Sequence, residues 1–368
     1  MSSKPVLIPY ASAGNGHRAA AQALCQAFEE EGRGAIITDV LHFSVPLFRM
    51  VYSKTYSLMG EYSHLSCEAM YRLMDKPRDE SRLIQFIDWL CERHVRPFTG
   101  FVEENRMDLA VCTHFLPSLV LASMRRKGSY AGEIYSVITD YGLHKIWVHE
   151  DVDRYFVAHE DIRKMLLLLG VGEEKIDITG IPVKKEFALA KEKGKSSGEP
   201  FTILLSGSAV SDGKVIQILR WIENLDSPLR ILLVAGRNEG LLERLSGYVP
   251  PERIRLERFD FVQNMPRLMQ EADLMITKPG GLVVTEALCA ELPMVLISPI
   301  PLQETENAFY LEKEGAALYC EHLEDLPLTL RKILGNPEML REMRKKAALL
   351  AKPGAATKIA AQVIRGMV

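Results

Sequence analysis

Residues 272–288 read A-D-L-M-I-T-K-P-G-G-L-V-V-T-E-A-L, and the order of residue types in them decides the fold. The run from Leu274 to Thr277 is apolar and has no polar alternation, the pattern of a strand buried on both faces of a parallel sheet. Pro279, Gly280 and Gly281 then turn the chain, and L-V-V-T-E-A-L opens a helix. The same strand, turn and helix unit recurs on both sides. Strands are expected near 5–10, 34–39, 107–113, 133–139, 153–158 and 175–180, and again near 201–206, 229–235, 253–257, 272–277, 293–298 and 316–320. Helices between such strands imply right-handed crossovers and a doubly wound α/β architecture.

The chain has 368 residues, more than one core usually organises. The stretch K-E-K-G-K-S-S-G-E-P at 191–200 is charged, small and polar, and reads as a linker between two halves, although a surface loop would look the same. The expected organisation is therefore a first Rossmann-like domain over 1–190 and a second over 191–352. A closing amphipathic helix in 353–368 is expected to pack back on the first domain.

Hydrophobic residues at 47% and charged residues at 25% place the chain among ordinary globular proteins. A net charge of −3 argues against a dedicated nucleic-acid binder, which would carry a basic excess. The six cysteines form no C-x-x-C pair and read as free thiols of a reducing compartment. No apolar run is long enough to span a bilayer, so any membrane contact is expected to be peripheral. The basic residues Arg125, Arg126 and Lys127 would meet anionic lipid, or else form a solvated helix end. Residues 41–75 are dense in Phe, Tyr, Leu and Met; they read either as core helices or as an adaptable surface for an apolar ligand.

The chemistry gathers where strands end. In A-S-A-G-N-G-H-R-A (11–19) the first strand runs into a loop of Gly14, Asn15 and Gly16, with His17 in the first turn of the next helix. Gly14 and Gly16 permit a tight turn and close approach to a ligand. The positive helix end disfavours an imidazolium, and a neutral imidazole suits a general base acting on a hydroxyl. A capping or structural histidine is the competing reading. Asp140, in S-V-I-T-D (136–140), ends another strand on that edge; it would orient His17, or else cap its own turn. Thr113 and His114 end a third strand there as weaker candidates.

In the second half, the amides of Gly280, Gly281 and Leu282 suit a diphosphate, and Glu286 suits the two hydroxyls of a ribose. The following P-I-P-L-Q-E-T-E-N (299–307) supplies Gln303, Glu304 and Asn307 for sugar hydroxyls. An ordinary loop explains the Gly-Gly turn alone, but not both motifs at this spacing.

Taken in order, G-N-G-H-R-A-A-A, S-V-I-T-D, V-D-R-Y-F-V-A, I-T-G-I-P-V-K-K-E-F, T-K-P-G-G with E-A, and P with Q-E and N resemble one family across almost the whole chain. It is that of monogalactosyldiacylglycerol synthases and processive diacylglycerol glucosyltransferases, related to the peptidoglycan N-acetylglucosaminyltransferase. The resemblance implies a GT-B fold, two doubly wound Rossmann-like domains facing across a cleft. It implies an inverting transfer of a hexose from a UDP-sugar to the 3-hydroxyl of diacylglycerol, with no metal or other cofactor, at the cytoplasmic face of an anionic membrane. By the resemblance His17 and Asp140 are catalytic, and residues 41–75 fall in the lipid-acceptor region. Gly280, Gly281 and Glu286 hold the nucleotide, and Gln303, Glu304 and Asn307 the sugar and phosphate. The family's second glycine loop, usually G-G-G-x-G-x-G, reads here S-G-S-A-V-S-D-G (206–213), which leaves Ser206, Gly207, Ser208 and Ser211 facing the diphosphate. Leu302 stands where Gly is usual. A transferase for another lipid-linked acceptor, or a nucleotide-sugar-binding protein without catalysis, would share these features.

Overall fold

The computed structural model describes residues 4–12, 14–46, 48–50, 52, 93–188, 199–207, 210–236, 238–301 and 304–366. Ser208, Leu302, Gln303, residues 53–75 and most of the linker (191–198) lie outside the described residues. Contacts divide the chain into two compact units, Met1–Lys185 with Ile300–Gln303 and Lys352–Val368, and Glu186–Pro299 with Glu304–Ala351.

The first unit holds strands β1 (Val6–Tyr10), β2 (Ala35–Asp39), β3 (Leu109–Cys112), β4 (Glu133–Val137), β5 (Arg154–Val157) and β6 (Ile176–Ile178). They form a parallel sheet in the order β2-β1-β3-β4-β5-β6. Its helices are α1 (Asn15–Glu30), α2 (Arg96–Glu104), α3 (Phe115–Arg126) and α4 (Glu160–Leu168). The apolar runs of the sequence fall on these strands, and β1 and β3 are buried at every position. Helix α1 turns Ala20, Ala21, Ala23, Leu24, Ala27 and Phe28 inward. Its alanines let a further helix, α12 (Ala355–Gly366), approach closely, and Ile359 and Val363 of α12 complete the same core. Burying each of those two side chains contributes on the order of 2 kcal/mol. The chain's last segment is also tied to this sheet by Lys352 Nζ, which donates to Ala158 O at 2.8 Å, and by Lys358 Nζ, which donates to Ile178 O at 2.9 Å. Gly180 lies at the crossing with φ +92°, and a Cβ there would stand 2.6 Å from Lys352 Cβ. Only glycine fits.

The second unit holds β7 (Phe201–Ser206), β8 (Leu229–Val234), β9 (Ile254–Phe259), β10 (Leu274–Thr277), β11 (Met294–Ile297) and β12 (Ala317–Cys320). Its sheet is again parallel, in the order β12-β11-β10-β7-β8-β9. The helices are α5 (Asp212–Glu223), α6 (Glu239–Arg244), α7 (Met265–Glu271), α8 (Gly281–Cys289), α9 (Glu304–Lys313), α10 (Leu326–Leu334) and α11 (Pro337–Leu350). The core packs Val215, Ile218, Leu219 and Ile222 of α5 and Leu326, Leu330 and Ile333 of α10 against β7, β8, β10 and β11. The strand, turn and helix expected within 272–288 are β10, its turn and α8, at the middle of this sheet.

Candidate active site at two sheet edges

In an open parallel sheet a ligand crevice forms at the carboxyl ends of the two neighbouring strands from which the chain winds in opposite directions. In the first unit those strands are β1 and β3, joined through Leu7 and Ala110. The loop after β1 is pinned by Asp39 at the end of β2. Its Oδ1 accepts from Ser12 N–H at 3.2 Å and from Leu41 N–H at 3.1 Å. Helix α1 then begins at Asn15, with Gly14 as its extended cap and no side-chain cap, and His17 falls in its first turn.

His17 is 8% exposed. Its Nδ1 lies 2.8 Å from Thr113 O, just past β3, and 3.1 Å from Thr139 Oγ1, just past β4. A carbonyl oxygen only accepts, so Nδ1 carries the proton and donates to it, and Nε2 is left with its lone pair. Thr113 Oγ1 in turn donates to His17 O at 3.0 Å, so strand end and helix start hold each other. Burial, slightly opposed by the Thr113 carbonyl, lowers the His17 pKa to about 4. The ring is therefore neutral near pH 7, with burial as the larger cause.

His114 stands edge-on to His17, ring centroids 4.5 Å apart. Its Nδ1 accepts from Leu116 N–H at 3.0 Å and so caps α3, which places the neutral ring's proton on Nε2. Burial first, and then His17, push its pKa well below the usual histidine value. Around it lie Phe115 at 4.3 Å, Trp147 at 6.3 Å and Tyr52 at 6.5 Å between centroids. Phe48 packs on Tyr52 and stacks on His94. The described start of the aromatic stretch at 41–75 thus reaches the histidine pair.

Asp140 directly succeeds Thr139 and is half-buried. The Thr113 carbonyl and the Thr139 hydroxyl both stand at His17 Nδ1, beside the orienting role that the sequence pattern gives Asp140. Thr139 carries no such expectation although it stands in S-V-I-T-D. A threonine at the end of a buried strand is the available signal.

The basic run at the end of α3 divides. Arg125 donates from Nη2 to Asp153 Oδ2 at 2.6 Å and from Nη1 to Asp153 Oδ1 at 3.0 Å, and Arg126 pairs with Asp151. Each of the two thus has a carboxylate partner within the fold. Lys127 lines a cavity of about 340 Å³ beside α2, with Arg93 and Arg96.

In the second unit the winding reverses between β7 and β10. β7 ends at Ser206, 8% exposed, and Gly207 comes next, where a Cβ would meet Leu241 Cδ2 at 2.9 Å and Val234 O at 3.2 Å. A side chain at 207 would crowd these neighbours, so glycine suits the packing there. β10 ends at Thr277, fully buried, whose Oγ1 has no hydrogen-bond partner among the described residues. Lys278 is next and pairs with Glu304 at 3.6 Å, their side chains 17% and 14% exposed. Gly280 precedes α8 as an uncapped N-cap, so Gly281 and Leu282 open the helix with their N–H groups at the edge. Glu286 sits half-buried inside α8. Asn307 is fully buried in α9 and its Nδ2 donates to Pro279 O at 2.8 Å, so its amide nitrogen holds α9 against the turn. Glu304, Asn307, Gly280 and Gly281 thus come together; Lys278 joins them, a residue whose type alone did not mark it although it stands inside T-K-P-G-G. Among the described residues no group of three or more His, Cys, Asp or Glu side chains is placed to hold a metal ion, and no helix is long and apolar enough to cross a membrane.

Two family models match the chain. Residues 17–183 match the monogalactosyldiacylglycerol (MGDG) synthase model, and residues 207–359 match the glycosyltransferase family 28 C-terminal domain. The first of these covers most of the unit built on β1–β6, and the second most of the unit built on β7–β12. A processive diacylglycerol β-glucosyltransferase of Bacillus cytotoxicus is 27% identical over 366 residues, covering 96% of this chain and 92% of the relative. The protein of the same name from Bacillus thuringiensis is 27% identical, with 95% and 90% covered. Among solved structures, MurG of Acinetobacter baumannii superposes with TM-score 0.67 at 17% identity, over 99% of this chain and 100% of that one. A UDP-GlcNAc 2-epimerase from Neisseria meningitidis, bound to UDP-GlcNAc, reaches TM-score 0.58 at 13% identity, over 98% and 100%. The fold is thus shared with MurG and with an epimerase.

Proposed function

We propose that this chain transfers a hexose from a UDP-sugar to the 3-hydroxyl of diacylglycerol with inversion at the anomeric carbon. The observation that carries the mechanism is the buried His17, held at Nδ1 by Thr113 and Thr139 with Nε2 bare at the carboxyl edge of the first sheet. The relatives named for diacylglycerol glucosyl transfer supply the substrate class.

The acceptor hydroxyl gives its proton to His17 Nε2 as its oxygen attacks the anomeric carbon. The bond from that carbon to the diphosphate breaks, and its electron pair leaves with UDP. The resulting imidazolium is stabilised by the Thr113 carbonyl, with Asp140 in a supporting electrostatic role. In the second unit, the amides opening α8 and the Lys278 ammonium receive the diphosphate, Glu286 the ribose, and Glu304 with Gln303 the hexose. We read the phosphates as neutralised by the chain's own groups, without a resident cofactor. The acceptor is met at the cytoplasmic face of an anionic membrane by peripheral contact, with Lys127, Arg93 and Arg96 as its basic groups.

The test is an assay of purified protein with UDP-glucose or UDP-galactose, each offered diacylglycerol or a polyprenyl lipid in vesicles, read by lipid mass spectrometry. Hexosyl-diacylglycerol is the expected product, and the donor that yields it names the hexose. Transfer to the polyprenyl lipid alone, or UDP binding with no transfer at all, would overturn the proposal.

A further inference from the structure

We propose that Lys214 is a leaving-group residue, its ammonium binding the terminal phosphate of the nucleoside diphosphate as the sugar departs. The proposal rests on the donor site proposed for the second unit. Lys214 lies in the first turn of α5, the helix after β7. Its Nζ donates to Ser298 Oγ at 3.1 Å, just past β11. In the sheet order β11-β10-β7, that bond reaches from the β7 side to the β11 side, across the carboxyl end of β10. It therefore spans the edge where the winding reverses and where a ligand of this sheet is received.

Three observations converge on an anion at this place. Ser298 is held in the left-handed region, φ 46°, which a non-glycine residue rarely adopts and which concentrates at functional sites. Thr277, at the end of β10 between β11 and β7 in the sheet, is fully buried with Oγ1 unpartnered among the described residues. Lys278 already has the Glu304 carboxylate, whereas among the described residues Lys214 has only a neutral hydroxyl, which orients an ammonium without cancelling its charge.

When the bond between anomeric carbon and diphosphate oxygen breaks, its electron pair stays on the diphosphate, which gains one negative charge. The acceptor's proton goes to the base of the first unit. The Lys214 ammonium stabilises the added charge without giving up a proton to the reaction.

Calorimetric titration of UDP and UMP into wild-type protein, K214Q, K214R and S298A tests the assignment. Wild type is expected to prefer UDP. In K214Q the UDP affinity falls about tenfold while the UMP affinity shifts less than about twofold, because only UDP reaches the ammonium. K214R holds UDP within about threefold of wild type, and S298A loses an intermediate amount. The UMP titration doubles as a control for folding. A K214Q protein that keeps the wild-type preference for UDP, or loses UDP and UMP equally, overturns the Lys214 assignment alone. Wild-type protein that binds neither nucleotide overturns the donor site and the assignment with it.

Discussion

The two sheets share strand number, parallel pairing and the reversal of winding near the middle, yet their edges carry opposite chemistry. At the β1/β3 edge the polar groups are buried, neutral and ringed by aromatics: His17, His114, Thr113 and Thr139. The β7/β10 edge adds charged groups to its buried Thr277 and Asn307, with Lys278 on Glu304 and Lys214 on Ser298. Burial lowers the pKa of His17 and so keeps the ring neutral with a nitrogen lone pair, while ammonium groups at a sheet edge suit an anion. On the proposed function, one architecture serves two tasks because the loops and helix starts after the strands differ, not the strands themselves.

The difference can be broken from either side. His17→Ala is expected to reduce turnover by about a thousandfold while leaving UDP affinity at the wild-type value, since the proposed base and the proposed nucleotide site lie in different units. Parallel loss of UDP binding, measured by calorimetry, would erase the division of labour. Lys278→Met should do the reverse, raising the donor KM about tenfold with little change in kcat, and lowering Tm because Glu304 loses its partner. Thr139→Val removes one of the two groups at His17 Nδ1 and keeps the Thr113 carbonyl, so kcat should fall about fivefold with the donor KM unchanged. Arg126→Ala should change co-sedimentation with anionic vesicles by less than about twofold, because Asp151 already matches that charge.

Strand positions were legible because parallel strands buried on both faces leave unbroken apolar runs such as L-M-I-T and V-L-I. His17 was legible for a related reason, since a histidine directly after a glycine turn stands out against its surroundings. The grip on its Nδ1 was not, because Thr113 and Thr139 lie 96 and 122 positions away and meet it only through the sheet order. The pairing of Arg125 and Arg126 with Asp153 and Asp151 was hidden for the same reason, some 25 to 28 positions apart. Asn307 read as a sugar ligand, and its 2.8 Å bond to Pro279 O shows a polar side chain serving packing as well. The left-handed Ser298 has no counterpart in residue type at all; a serine there announces nothing.

Because the His17 pKa in the folded chain lies below the ordinary value, the folded state disfavours the imidazolium. Its contribution to stability is fully present above about pH 6.5 and is lost as pH falls towards about 4. The same property underlies the central claim, that burial at the β1/β3 edge keeps a histidine ready to take a proton. Nitrogen-15 NMR of the imidazole rings, assigned by comparison with a His17→Gln protein, measures pKa and tautomer together. The expected result is a His17 ring that titrates near pH 4, with the proton on Nδ1 and Nε2 bare at neutral pH. A ring that titrates near 6.5, or carries its neutral-form proton on Nε2, would contradict the account.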